Sequence, residues 1–476
     1  MDNSSATIEQ TQNRVEHDSL GDVEVPNDAL YGAQTARAIR NFPITGLRPH
    51  PTLVRATVLV KRAAAETNRD LGELDDERAN AIISAADRVL GGEFLDQWRV
   101  DPIQAGAGTS HNMNTNEVLA NLANESLGGR RGDYKPIHPN DHVNMAQSTN
   151  DVFPTAMRIA SLMQLKELYP VLDRLQNALA AKGRQFDRII KSGRTHMQDA
   201  VPIRLGQEFT AYSVTIGKLR KKIETAAESL LELNIGATAA GTGLNSDPRY
   251  QKAVVQKLAE LTGFPLRPAG NLVEMTESQS AMAEAHGALK LLALELTRIA
   301  NDLRLMSSGP QTGFGEIVLP PVQPGSSIMP GKVNPVMAEM LNMACFQVIG
   351  NDTTMTMAVQ AGQLELNVMM PVMAFDMLMS TDILKNSVDV FVEYCVEGIT
   401  ANEERCQQLV ETSMGLATAL NPHIGYSAAA KVTQESYRTG KPIRQVVLDM
   451  GILSEEELDR ILDPVAMTEP GIPGRR

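Results

Sequence analysis

Aromatic residues make up only 4% of this 476-residue chain, and cysteine occurs three times. Strand-rich folds draw on aromatic and β-branched side chains, so this thin supply argues against a sandwich or a barrel. Methionine, with 23 residues, is plentiful by contrast, and it suits the packing of Leu- and Ala-rich helices. Cys345, Cys395 and Cys406 show no metal-ligand spacing. So sparse and odd a count reads as reduced thiols in a cytosol, not as a disulfide framework. No apolar run reaches the roughly twenty residues that a membrane helix needs. The first twenty residues, with Asp2, Glu9, Glu16 and Asp18, lack the basic-then-apolar pattern of an export signal. A soluble, cytoplasmic protein is expected.

Positive charge is also short. Lys and Arg total 44 against 57 Asp and Glu, a formal net charge of −13. Such a chain repels nucleic acid and anionic lipid at long range, so neither is expected as a partner. An anionic substrate would have to be held by a local cluster of donors and cations. Cofactor signatures are missing as well. No G-x-G-x-x-G follows a strand pattern, and Gly236-Ala-Thr-Ala-Ala-Gly241-Thr-Gly243 lacks the lysine of a phosphate loop. H-E-x-x-H, zinc-finger spacing and G-x-S-x-G do not occur. No cofactor and no metal are expected.

Apolar spacing, in contrast, is abundant. Leu289, Leu292, Leu296, Ile299, Leu303 and Met306 follow a 3-4-3-4-3 pattern inside the proline-free stretch Leu272 to Ser308. Ile216, Leu219, Ile223, Ala226, Leu230 and Leu233 repeat it, as do Leu165, Leu168, Leu172, Leu175 and Leu179, where Pro170 should kink or restart the helix. Seams of period 3.5 make long helices that pack nearly parallel. A helix of about 35 residues spans roughly 50 Å, too long to bury itself alone, and association with partner chains is favoured over a solitary bundle. The expected class is mainly α, in three parts. Residues 1–150 form an N-terminal helical domain broken by turn formers, with helices over Thr52 to Leu71 and Asp76 to Leu90. Residues 151–400 form a central bundle of long helices, and 401–476 a small C-terminal helical domain with a Pro/Gly-punctuated tail.

Four polar, turn-rich segments interrupt this pattern. They are Gly106-Ala-Gly-Thr-Ser-His-Asn-Met-Asn-Thr-Asn-Glu117, Gln147-Ser-Thr-Asn-Asp151, Ser192-Gly-Arg-Thr-His-Met-Gln-Asp199 and Pro324-Gly-Ser-Ser-Ile-Met-Pro-Gly-Lys-Val-Asn-Pro335. Singly, each has a plain explanation: Ser148, Thr149 or Asn150 as helix caps, His196 as a structural histidine, the glycines as a connecting loop. Together they bring hydroxyl, amide and cationic donors of the kind that an anionic substrate requires.

Gly325-Ser326-Ser327-Ile328-Met329-Pro330-Gly331-Lys332-Val333-Asn334-Pro335 resembles the signature loop of the aspartase/fumarase superfamily. The other three segments resemble its remaining substrate-binding regions in the expected order, and the similarity runs from about Glu16 onward. The resemblance implies a three-domain helical subunit whose long helices form a multi-helix core in a homotetramer, with active sites shared between subunits. It further implies a small dicarboxylate substrate that loses a proton beside one carboxylate and an amine or hydroxyl from the next carbon. Thr109, Ser148 and Thr149 would hold the carboxylate whose charge grows, and Lys332 and Asn334 would clamp the other. Asn150, Thr195 and His196 would surround the leaving group, Ser326 would be the base, and Glu339 would orient His196.

Within the superfamily, Asn112-Met-Asn-Thr-Asn116, Gln147-Ser-Thr-Asn150, Asp352-Thr-Thr-Met-Thr356 and Leu366-Asn-Val-Met369 resemble the aspartases, since fumarases usually carry a second serine at Thr149. Met370, where aspartases would have glutamate, departs from that pattern. His138-Pro-Asn-Asp141 and Val152-Phe-Pro-Thr-Ala-Met157 resemble fumarases. Amine elimination is the preferred expectation. A class II fumarase and a non-catalytic helical relative are the alternatives.

Overall fold

The computed structural model of the protein describes residues 13–475; Asp2, Glu9 and the terminal Arg476 lie outside the described residues. The chain is mainly helical, as expected. Among the described residues strands are confined to four two-stranded sheets, and five helices dominate: Thr149–Gln185, Leu205–Ala227, Ser280–Met306, Val336–Gln360 and Met370–Tyr394. No helix among the described residues is long and apolar enough to cross a membrane.

Two compact units can be separated. The first comprises the chain up to Leu168, with Lys221–Leu291 and Gln347–Ile383; the second comprises Tyr169–Arg220, Leu292–Phe346 and the chain from Leu384. In the first unit, a hairpin of Asn13–Asp18 and Gly21–Pro26 leads into the helices Ala33–Asn41, Pro51–Leu71, Asp76–Leu90 and Thr109–Ser126. Their limits follow from local chemistry. Pro51 occupies the first turn behind His50, whose ring accepts the Thr52 N–H, and Gly72 ends that helix at φ 83°, a left-handed value open to glycine. Asp75 caps the next helix by accepting the Arg78 N–H at 3.0 Å. Trp98, Val58, Ile82, Val118 and Leu119 meet in the core of this unit.

Thr109–Ser126 is buried all round, from His111 to Asn124, although five of those residues are asparagines. Burial of amides is tolerable only where they are hydrogen-bonded. Asn121 Nδ2 donates to the Leu30 carbonyl at 2.7 Å, and Asn124 exchanges two hydrogen bonds with the Ile137 backbone at 2.7 and 2.8 Å. These amides do the work of a second backbone, holding flanking loops against the helix.

The apolar seams behave largely as the spacing predicts. Leu289, Leu292, Leu296, Ile299, Leu303 and Met306 are all buried on Ser280–Met306. Two details differ. The seam that starts at Ile216 outlasts its helix: Ala226 lies near the helix end at Ala227, while Leu230 falls in a 3₁₀ turn and Leu233 in a short strand. Burial, not helical continuation, carries its last two positions. Pro170 does not restart the helix, which runs unbroken over 37 residues. Pro170 and Lys166, whose carbonyl loses its amide partner, both face solvent, so water can satisfy that carbonyl. Leu165, Leu168, Leu172, Leu175 and Leu179 stay buried on the opposite side.

In the second unit, the hairpin Ile190–Thr195 and Gln198–Arg204 packs beside a C-terminal cluster built on Val432, Val446, Val447 and Leu458. A capping box, Ser454 with Glu457, starts the helix Glu455–Ile461.

One carboxylate ties the first unit's polar segments together. Asp151 is fully buried; one oxygen accepts the Ser148 N–H at 2.9 Å, and the other accepts the Gly236 and Thr238 N–H groups at 3.0 and 2.9 Å. Burial pushes its pKa up to about 7, while these donors and the nearby Lys61 pull it down. With three N–H groups aimed at it, the ionised form is the one that the site accommodates. Asp151→Ala strands all three donors and should destabilise the protein by on the order of 3 kcal/mol, with Asp151→Asn recovering part through its one carbonyl oxygen. Urea denaturation midpoints check this, and an alanine variant within about 1 kcal/mol of the native protein would contradict it.

Candidate active site

The candidate residues divide between the two units: Thr109, Ser148, Thr149 and Asn150 lie in the first, and Thr195, His196, Ser326, Lys332, Asn334 and Glu339 in the second. In the first unit the donors sit at two helix starts. Thr149 begins the helix Thr149–Gln185, and Thr109 begins Thr109–Ser126. Asn112, one turn into the latter, donates its Nδ2 to Thr149 Oγ1 at 3.2 Å. A hydroxyl that accepts there has its own hydrogen left to give. Ser148 Oγ likewise accepts the Asn150 N–H at 3.3 Å, and Asn150 Nδ2 is fixed on the Ala239 carbonyl at 2.7 Å. Thr109 is exposed and donates its hydroxyl to the Gly106 carbonyl at 2.6 Å. A substrate would have to draw that proton away by rotation of one side chain.

Behind these donors lies a charge that the motif reading missed. Lys61 is fully buried, and its ammonium donates to Asn144 Oδ1 at 2.8 Å and Gln147 Oε1 at 2.9 Å. Asn144 Oδ1 also accepts from Asn112 and Asn116, each at 3.2 Å. Burial pushes the Lys61 pKa down to about 7, opposed by the Asp151 carboxylate. His111, also buried, is pushed down to about 3 by desolvation and by Lys61, which keeps its ring neutral. A signal for Lys61 was present: Val54, Thr57, Val58, Lys61 and Ala65 share one helical stripe, and lysine is the intruder there.

In the second unit, Thr195 and His196 lie at the tip of the hairpin Ile190–Thr195 and Gln198–Arg204, and both are exposed. His196 and Met197, the two turn residues, have φ of 55° and 61°. A two-residue hairpin turn of this hand favours Asn and Gly, so the His-Met pair holds a conformation that its side chains alone would not choose.

Ser326 lies in a loop closed at its base. The Gly325 N–H donates to the Lys332 carbonyl at 2.8 Å, and Asn334 Nδ2 donates to the Gly325 carbonyl at 2.6 Å. A Cβ at Gly325 would meet the Lys332 carbonyl oxygen at 2.4 Å, so only glycine closes this loop. Within it, Ser326 Oγ accepts the Ile328 and Met329 N–H groups at 3.2 and 3.0 Å. Two N–H donors aimed at a hydroxyl oxygen favour negative charge there, which a serine acting as a base needs. The Lys332 side chain makes no hydrogen bond or ion pair among the described residues and is exposed. Glu339 lies 4.0 Å from Arg304, and among the described residues no hydrogen bond joins it to His196.

Other reactive constellations are closed to substrate. Ser380, His286 and Asp352 form a hydrogen-bonded row at 2.9 and 3.1 Å, yet Ser380 and His286 are 0% exposed. Cys345, Cys395 and Cys406 are free and buried, and burial pushes their thiols up to about 11, 12 and 12. They remain protonated and poorly nucleophilic. Among the described residues no group of three or more His, Cys, Asp or Glu side chains could hold a metal ion.

Residues 21–350 match the family described as Lyase, and residues 416–469 match the Fumarase C C-terminus. The chain is 52% identical to an aspartate ammonia-lyase of Bacillus subtilis (strain 168), over 98% of each chain. It is 50% identical to an aspartate ammonia-lyase of Escherichia coli (strain K12), over 97% of this chain and 98% of that one. Among solved structures, a fumarate lyase:delta crystallin from Brucella melitensis bound to cobalt superposes with a TM-score of 0.94 at 47% identity, covering 96% of this chain and 100% of that one. A class II fumarase from Schistosoma mansoni gives 0.93 at 38% identity, with the same coverage. A donor-rich helix-start cluster, a serine held under two backbone N–H groups and similarity over nearly the whole length lead to one assignment: the chain belongs to the aspartase/fumarase superfamily of lyases.

Proposed function

We infer that the protein is a carbon–nitrogen lyase that reversibly deaminates L-aspartate to fumarate and ammonia. The observation that carries this is identity of 50% and 52% with aspartate ammonia-lyases over nearly the full chain. Thr149 at the start of its helix supports the same choice. The second reading, hydration of fumarate to L-malate, is favoured by the fumarase-like His138-Pro-Asn-Asp141 element and by the 38% identity with a class II fumarase.

The chemical difficulty is the weak acidity of a hydrogen beside a carboxylate. Its removal leaves a doubly negative aci-carboxylate that must be held by fixed donors in a site closed to water. In our proposal Thr109, Ser148 and Thr149 hold the β-carboxylate, and the hydroxyls of Ser148 and Thr149, whose oxygens accept N–H groups, give their hydrogens to its growing charge. Lys332 and Asn334 clamp the α-carboxylate, while Asn150, Thr195 and His196 surround the amino group. Ser326 takes the Cβ proton, its alkoxide supported by the Ile328 and Met329 N–H groups.

We further propose a cytoplasmic homotetramer in which each site draws on several subunits, with the parts 1–150, 151–400 and 401–476 as domains. Exposed apolar side chains on the long helices support association: Met343 and Phe346 on Val336–Gln360, and Leu291 and Leu294 on Ser280–Met306. The exposure of Thr195, His196 and Lys332 in the single chain fits a site completed by a partner. In this arrangement Glu339 orients His196 across a subunit boundary.

Two outcomes are expected. L-Aspartate should be turned over with a far larger kcat/KM than L-malate, followed by fumarate absorbance; malate in the lead would assign a fumarase instead. Ser326→Ala should lower kcat by at least about 10²-fold while still binding substrate, whereas Lys332→Ala should also raise KM. Near-native turnover of Ser326→Ala would remove serine-base chemistry.

A further inference from the structure

The turn that presents His196 is strained, and the strand leading to it carries two cations that the reaction does not use. Arg194 stands immediately before Thr195, and Lys191 three residues earlier. Both reach one carboxylate. Arg194 Nη1 lies 2.9 Å from Glu316 Oε1, and Lys191 Nζ lies 3.4 Å from Glu316 Oε2. Lys191 also pairs with Glu208 at 2.9 Å, so two cations face two carboxylates. Glu316 is 0% exposed and Lys191 only 3%, which places this cluster among interactions whose disruption is costly.

Glu316 is itself held on both sides. Its N–H donates to the Met306 carbonyl at 2.8 Å, where the long helix ends, and its carbonyl accepts the Asn402 N–H at 2.8 Å. Phe314, two residues before it, lies under the Arg194 guanidinium at 4.1 Å. The guanidinium is thus fixed by a charge at its edge and a ring at its face. The strand pairing is irregular between Ser192 and Arg194, so ladder hydrogen bonds alone hold the tip loosely. His196 and Met197, both left-handed, add backbone strain at the tip.

We propose that Glu316 is a positioning residue for the elimination: through Arg194 and Lys191 it fixes the hairpin tip so that Thr195 and His196 meet the departing amino group. This rests on the reading of Thr195 and His196 given above. Glu316 touches no substrate, and its effect passes entirely through the hairpin.

A double-mutant cycle on kcat/KM for L-aspartate tests it, using Glu316→Gln, His196→Ala and the combined variant. Glu316→Gln keeps the size of the side chain and removes its charge, and should cost at least about tenfold in an otherwise native enzyme, mostly in kcat. In the His196→Ala background the same change should cost clearly less, because one of the two groups it places is already gone. Equal losses in both backgrounds, or full activity of Glu316→Gln, would overturn the role of Glu316. A fully active His196→Ala would instead remove the underlying reading of the site. Should Glu316→Gln fail to fold, Arg194→Lys, which keeps the charge and loses the fork geometry, carries the same cycle with the same expected and contrary results.

Discussion

The Asp151 carboxylate is the constraint on which the first half of the site depends. Its two oxygens gather N–H groups from Ser148, Gly236 and Thr238, and so decide where the Ser148-Thr149-Asn150 turn points. A cap drawn from three residues away would only start a helix. By reaching 85 and 87 residues along the chain as well, this one also sets the helix start against the Gly-rich loop. Buried Lys61 balances its charge, and the amides of Asn112 and Asn144 link that lysine to Thr149 Oγ1. In this polar floor Thr149 Oγ1 and Ser148 Oγ each accept an N–H from the chain, which leaves their hydroxyl hydrogens to give.

The second unit solves the same problem with the opposite sign. There the anchors are the carboxylates of Glu316 and Glu208, and the groups held are cations on a hairpin. A chain with a net charge of −13 cannot attract a dicarboxylate by its overall field. It concentrates donors and cations locally and fixes them through ion pairs set behind them. The serine loop follows the same logic on a smaller scale, since backbone N–H groups supply the positive potential at Ser326 Oγ.

Much of this was legible in the sequence. The 3-4 apolar spacing located the seam of Ser280–Met306, because burial on one helical face leaves a period that composition cannot imitate. The residues proposed to touch substrate were drawn from the four polar segments, where hydroxyl and amide donors gather at turns. Hidden were the residues acting from a distance. Asp151 closed one polar segment with no role assigned to it, since nothing local reveals a partner 87 residues away. Lys61 stood in view as a lysine within an apolar stripe, but its pairing with Asn144 depends on tertiary structure. Pro170 misled in the other direction. Proline is costly inside a helix only when the carbonyl it orphans cannot reach water, and exposure at Lys166 is not written in the local sequence.

The central claim is that donors, leaving-group residues and base from different subunits make one aspartate-deaminating site. Its most direct test mixes two variants, Ser326→Ala and His196→Ala, each strongly impaired alone, by co-expression or by joint unfolding and refolding. With equal amounts and random assortment in a closed tetramer, about a quarter of the sites should receive a native Ser326 and a native His196 from different chains. The account predicts recovery of roughly that fraction of native deaminase activity. A mixture no more active than its parents, despite demonstrated subunit exchange, would show that Ser326 and His196 serve within one chain and would contradict the shared site.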